Sequence, residues 1–188
     1  MGNYLNFAKV NETTEGNEAV PFLFFMDNQT AQRQIESMIL DILSHEPDYF
    51  LVEARIKPTN NVKVYLDGDQ GITIEKCVQF NRTLYKKIEE ANFFPPGDFS
   101  LEVSSPGLDE PLKLHRQYKK NVGRFIEVTL HDGVKKEGRL LDVTEDGIIV
   151  EEKSGKKAEH GKISRNLTLV NHTYLFNNIK STKIQVVF

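Results

Sequence analysis

The feature that most constrains this chain is a change of hydrophobic period at one turn cluster, Ser104-Ser105-Pro106-Gly107-Leu108-Asp109-Glu110-Pro111. On its N-terminal side helical and strand patterns alternate, whereas on its C-terminal side the apolar patterns repeat every second residue. An α-helix buries one residue in every 3.6 and a half-buried strand every second one, so the two regimes cannot belong to one repeating element. Pro and Gly punctuate the change, and the chain therefore reads as two folding units. A length of 188 residues permits this, since a domain takes roughly 150 residues or fewer.

In the first unit, Ile35, Met38, Ile39, Ile42 and Leu43 share one helical face and predict an amphipathic helix from Asp27 to Ser44, ended by Pro47. Phe50, Val52, Ala54 and Ile56 alternate with Leu51, Glu53 and Arg55 and predict a strand with those four on one face. After the turn Pro58-Thr59-Asn60-Asn61, Val62, Val64 and Leu66 predict a second strand, closed by the loop Asp67-Gly68-Asp69-Gln70-Gly71. Thr73 is placed to cap a second helix, with Ile74, Cys77, Val78, Leu84, Tyr85 and Ile88 on one side. Pro95-Pro96-Gly97 ends that region, and Phe99, Leu101 and Val103 form a third strand. The order αββαβ predicts an α/β sandwich domain over residues 27–111.

In the second unit, Ile126, Val128 and Leu130 alternate before the hairpin signal Asp132-Gly133. Val134 to Val143 is the return strand, with a bend or bulge expected at Gly138. Ile148 to Val150, Leu167 to Val170 and Lys183 to Val187 complete the set of strand candidates. Short strands of this kind predict a small β-barrel over residues 112–188, and an α+β class for the whole chain. Residues 1–26 keep no period and read either as a flexible N-terminal extension or as sequence upstream of a start at Met26.

Charge follows the same division. The total of −3 conceals a segment 27–111 with 8 basic and 15 acidic side chains, and a segment 112–188 with 15 basic and 9 acidic ones. A basic module joined to an acidic one points to a polyanionic or acidic partner. A lone cysteine, Cys77, forms no internal disulfide and reads as an inward helix residue in a reducing, cytoplasmic setting. His45, His115, His131, His160 and His172 share no metal-ligand spacing. Ser104 and Ser105 lack the nucleophile elbow, Asp67 and Asp69 lack the rest of a calcium loop, and Gly68 and Gly71 precede no phosphate-binding Lys-Ser/Thr. No catalytic constellation, metal or cofactor is expected.

Binding residues are better represented. Lys113, His115, Arg116, Tyr118, Lys119, Lys120 and Arg124 mix cations with an aromatic ring, and Lys135, Lys136 and Arg139 form a second group. Lys153, Lys156, Lys157, Lys162 and Arg165 form a third. Cations neutralise phosphates and release counterions, while a tyrosine ring can stack on an unpaired base. The same charges would serve an acidic protein surface, and lysine clusters also occur as plain solvated faces.

The run Leu101-Glu102-Val103-Ser104-Ser105-Pro106-Gly107-Leu108-Asp109-Glu110-Pro111-Leu112 closely resembles the ribosome maturation factor RimP family. Similarity extends to Tyr65-Leu66-Asp67-Gly68 with Gly71-Ile72-Thr73-Ile74, and to Tyr118, Val122-Gly123-Arg124, Gly138-Arg139-Leu140 and Asp146-Gly147-Ile148, covering about residues 30–188. Glu110 stands where relatives are often basic, and residues 1–26 have no recognised counterpart. The resemblance implies an N-terminal α/β domain followed by a C-terminal Sm-like, SH3-type barrel. It implies a non-enzymatic factor that binds immature small (30S) ribosomal subunits through rRNA and a ribosomal protein. On this reading Lys113, Arg116, Tyr118, Lys119, Lys120, Arg124, Lys135, Lys136 and Arg139 are RNA- or ribosome-binding candidates. Ser104, Ser105, Pro106, Gly107, Leu108, Asp109 and Pro111 form the interdomain hinge of a monomer with neither membrane nor small-molecule partner. A free Sm-type RNA chaperone and a pure protein adaptor are the alternatives.

Overall fold

The structure, a computed structural model, describes residues 27–154 and 168–186. The expected N-terminal extension over residues 1–26 and the basic group Lys156, Lys157, Lys162 and Arg165 lie outside the described residues. Helix α1 runs Asn28–Leu43 and starts where Asp27 Oδ1 accepts hydrogen bonds from the Gln29 and Thr30 amides, each at 3.0 Å. It buries Ala31, Ile35, Ile39 and Leu43. Strands β1 (Tyr49–Lys57) and β2 (Asn61–Gly68) pair antiparallel, and β3 (Ser100–Ser104) pairs parallel with β2. A parallel partner requires a crossover, which helix α2 (Ile74–Glu90) supplies. Both helices pack on the three-stranded sheet around Ile35, Ile39, Val62, Val64, Leu66, Phe80, Leu84 and Ile88.

Two expectations fail here. Ile74 and Val78 sit on the solvent side of α2, 79% and 42% exposed, while Phe80 is in the core. In β1 the four alternating residues do not share a face, because a bulge between Leu51 and Glu53 inserts one extra residue. Ala54 lies opposite Val64 and points into the core, whereas Phe50 lies opposite Asp67 and Glu53 opposite Tyr65. Cross-strand partners share a face, so the bulge turns Phe50 to the side of the sheet away from the helices, where Glu53 also lies.

The C-terminal half holds the short helix α3 (His115–Lys120) and strands β4 (Phe125–Leu130), β5 (Lys135–Val143), β6 (Gly147–Ser154), β7 (Thr168–Leu175) and β8 (Ile179–Ile184). The sheet order is β7-β6-β5-β4-β8, antiparallel throughout, around Ile126, Val128, Leu140, Val143, Ile148 and Val150. At Gly138 a β-carbon would stand 2.6 Å from Val150 Cγ1 and overlap the Glu151 carbonyl, while the irregularity of β5 falls between Leu140 and Asp142 rather than at Gly138. The fold is α+β. The expected closed barrel is not found: among the described residues the sheet is open, with β7 and β8 at opposite edges. A single 3-10 turn, Phe176–Asn178, carries the chain from one edge to the other, and the Leu112 amide donates to the Thr182 carbonyl of β8 at 2.8 Å. No described helix is long and apolar enough to cross a membrane.

Candidate functional site

The face of the N-terminal sheet freed by the β1 bulge meets α3 and the residues before it. Lys120 Nζ lies 2.6 and 2.5 Å from the two carboxylate oxygens of Asp67, whose side chain is only 7% exposed. Asp67 Oδ1 also accepts the Gly68 amide at 2.8 Å. Arg116 lays its guanidinium 4.4 Å from the ring centre of Phe50 and donates to both Asp69 oxygens, at 2.9 and 2.7 Å, and to the Pro47 carbonyl at 2.8 Å. Lys113 pairs with Glu53, which also takes a bidentate contact from Arg55. Three cations of the basic half thus meet three carboxylates of the acidic half.

The magnitudes differ along this row. The Lys113–Glu53 and Arg116–Asp69 pairs are partly solvated, and such pairs are worth roughly 0–1 kcal/mol each. Lys120–Asp67 is the most enclosed of the three, so loss of the lysine leaves a carboxylate with little access to water. The Arg116 guanidinium holds the Asp69 carboxyl below its ordinary value of 3.8. Arg55 first, and Lys113 second, hold Glu53 below 4.5. Folded values lowered in this way mean that the ion pairs contribute fully above the unfolded values and are lost as pH falls through the folded ones. Scattering profiles are therefore expected to match between about pH 7 and pH 5 and to show a looser arrangement of the halves only once pH falls below the ordinary carboxylate values. An unchanged profile at the acid end would contradict a junction held by these carboxylates.

The residues predicted from sequence to bind RNA separate into three groups. Tyr118 is a correction: it is 5% exposed, packed edge-on against Phe176 at 5.2 Å, and unable to stack on a base. Lys113, Arg116 and Lys120 are engaged at the junction. The others face solvent to differing degrees. Lys119 is exposed, and its side chain makes no hydrogen bond or ion pair among the described residues. Arg124 donates to Asn121 Oδ1 at 3.0 Å, Lys135 to Glu127 at 2.9 Å, and Arg139 to the Gly123 carbonyl at 3.0 Å. Lys135 and Lys136 line one cleft with Phe125, Glu151 and Glu152, and Lys136 lies 4.0 Å from Glu152.

One arrangement was not singled out from the sequence. Arg139 lies opposite Phe125 in the β4–β5 pairing and holds its guanidinium 5.9 Å from that ring, with Arg124 adjacent. Phe125 is 36% exposed, so the Arg139 cation lies beside an accessible aromatic surface, and the exposed Arg124 precedes it in the chain. The alternation of β4 contains the signal, because Phe125 is out of phase with the buried Ile126 and Val128. The hinge candidates are held at both ends. Ser104 ends β3, the Glu110 amide closes a turn on the Gly107 carbonyl at 3.0 Å, and Leu112 is bonded to β8. Pro106 and Pro111 line a small cleft with Val52, Glu53 and Tyr65, while Ser105, Gly107, Leu108 and Asp109 are exposed. Among the described residues no three His, Cys, Asp or Glu side chains converge as metal ligands.

Comparison with known proteins places the chain among relatives. Residues 39–109 match the RimP N-terminal domain family. A Ribosome maturation factor RimP from Cytophaga hutchinsonii is 38% identical over 120 residues, covering 62% of this chain and 72% of that protein. Proteins of the same name from Flavobacterium psychrophilum and Porphyromonas gingivalis are 29% identical over 157 residues and 36% identical over 120 residues. These alignments cover 84% of this chain and 98% of the first protein, and 64% of this chain and 76% of the second.

Proposed function

The chain belongs to the ribosome maturation factor RimP family, and from that premise we propose that it promotes maturation of the small (30S) ribosomal subunit in the cytoplasm. It acts as a monomer without catalysis or cofactor, binding immature particles through rRNA and a ribosomal protein. The C-terminal sheet is read as the Sm-like half and the segment Ser104–Pro111 as the hinge between two domains, 27–111 and 112–188. The observation that carries the RNA contact is Arg139 held over the accessible Phe125 ring, a phosphate partner beside an aromatic surface, with the exposed Arg124 next to it in the chain. Lys119 and Lys135 extend the positive potential that speeds encounter with rRNA. The ion pairs formed by Lys113, Arg116 and Lys120 account for part of the opposite charge of the two halves.

The test is co-sedimentation with immature and mature small subunits, before and after nuclease. The protein is expected on immature particles, and Arg124→Glu with Arg139→Glu is expected to weaken that association at least tenfold at physiological salt, about the effect of reversing two phosphate contacts. Unchanged association of the double variant would remove the patch from the interface. Equal binding to free short RNA and to particles would favour the chaperone reading, and full retention after nuclease would favour the protein adaptor.

A further inference from the structure

We propose that the junction between the halves is an autoinhibitory clasp, in which Glu53, Asp67 and Asp69 occupy cations that RNA phosphates compete for. The inference rests on the RNA contact proposed above and adds its regulation. The cations concerned, Lys113, Arg116 and Lys120, approach the RNA-facing patch along the chain, since α3 leads through Asn121 directly to Arg124. Each meets a carboxylate, and the row has a gradient of access. Arg116 and Asp69 are 39% and 48% exposed at their side chains, Lys113 and Glu53 are intermediate, and Asp67 is nearly enclosed.

A polyanion therefore reaches Arg116 first. A phosphate presents the same forked acceptor geometry as the Asp69 carboxylate, so it can replace that carboxylate without new side-chain placement. Phe50 and the Pro47 carbonyl still hold the guanidinium when Asp69 leaves. The arginine is then an ordered phosphate site rather than a free side chain. Exchange at Arg116 removes one cross-junction contact, which weakens the restraint on Lys113 and Lys120. In the free protein the same pairing suppresses adventitious binding of RNA, because the exposed cation count of the basic half is reduced. The opposite charges of the two halves are, on this reading, a built-in competitor for the ligand.

The experiment is a double-mutant cycle on the full chain, using a fluorescein-labelled 12-nucleotide oligouridylate and fluorescence anisotropy across a salt series. The proteins are the parent, Asp69→Asn, Arg116→Ala and the Asp69→Asn/Arg116→Ala double variant. Asp69 is a half-exposed loop carboxylate, so its replacement leaves the fold in place. Asp69→Asn is expected to bind about threefold tighter, the size of one surface ion pair, and to steepen the salt dependence by about 0.7 for one added phosphate contact. In the Arg116→Ala background the same substitution is expected to change nothing. A gain of equal size in both backgrounds would show a general field effect and overturn the clasp. No gain in either would overturn it too, even if particle binding persists. Absence of oligonucleotide binding by every variant would overturn both the clasp and the RNA contact on which it rests.

Discussion

Gly138→Val is expected to destabilise the C-terminal half by at least about 3 kcal/mol, the upper range for forcing bulk into a packed interior. The position faces Ile126 across β4 and Val150 and Glu151 across β6, all from strands that cannot withdraw independently. A β-carbon there overlaps a backbone carbonyl rather than the tip of a flexible side chain, so relief requires moving β6 itself. The bend of β5 next to it, marked by the register shift between Leu140 and Asp142, would open in consequence. Amide hydrogen exchange followed through a denaturant series checks this. Protection in β4 to β6 should collapse at lower denaturant while protection in α1, α2 and β2 persists. Unaltered protection in β5 and β6 would refute the steric account.

Phe80→Ala is the counterpart in the other half, with an expected loss of about 3–5 kcal/mol. Phe80 is 1% exposed on α2 and meets Tyr49 edge-on with ring centres 5.5 Å apart, so truncation leaves a cavity between helix and sheet. The two buried clusters share no residue, and the contacts between halves are mainly the ion pairs and the short linker. Phe80→Ala should therefore lower protection in α1, α2 and β1 to β3 and shift the C-terminal strands by no more than about 1 kcal/mol, the scale of solvated ion pairs. Simultaneous loss in both halves by the full amount would mean that they fold as one cooperative unit.

Most of the fold was legible because its signals are local. The cap at Asp27, the cap at Thr73 and the turn at Asp132-Gly133 are each set by a few neighbouring residues. Helix α3 escaped notice because six residues are too few for a 3.6-residue period to stand out. The face of β1 was misread because a bulge changes parity without changing composition, and period two is all that a strand pattern reports. The change of parity matters for the site, since it puts Phe50, which receives Arg116, on the same face as Glu53, which receives Lys113. Tyr118 looked like a stacking ring because aromatic residues among cations look alike whether they cover a core or face water.

By itself the amino-acid sequence determined the change of hydrophobic period near Ser104–Pro111, most kinds of element on either side, the change of sign in charge and the family resemblance. These depend on spacing and composition within short windows. Only the tertiary structure decided which charges remain free. Lys120 and Asp67 are 53 residues apart, Arg116 and Asp69 are 47, and no local pattern pairs them. A cation meets a phosphate without competition only if no carboxylate from elsewhere in the chain has reached it first, and that is settled by folding at a distance.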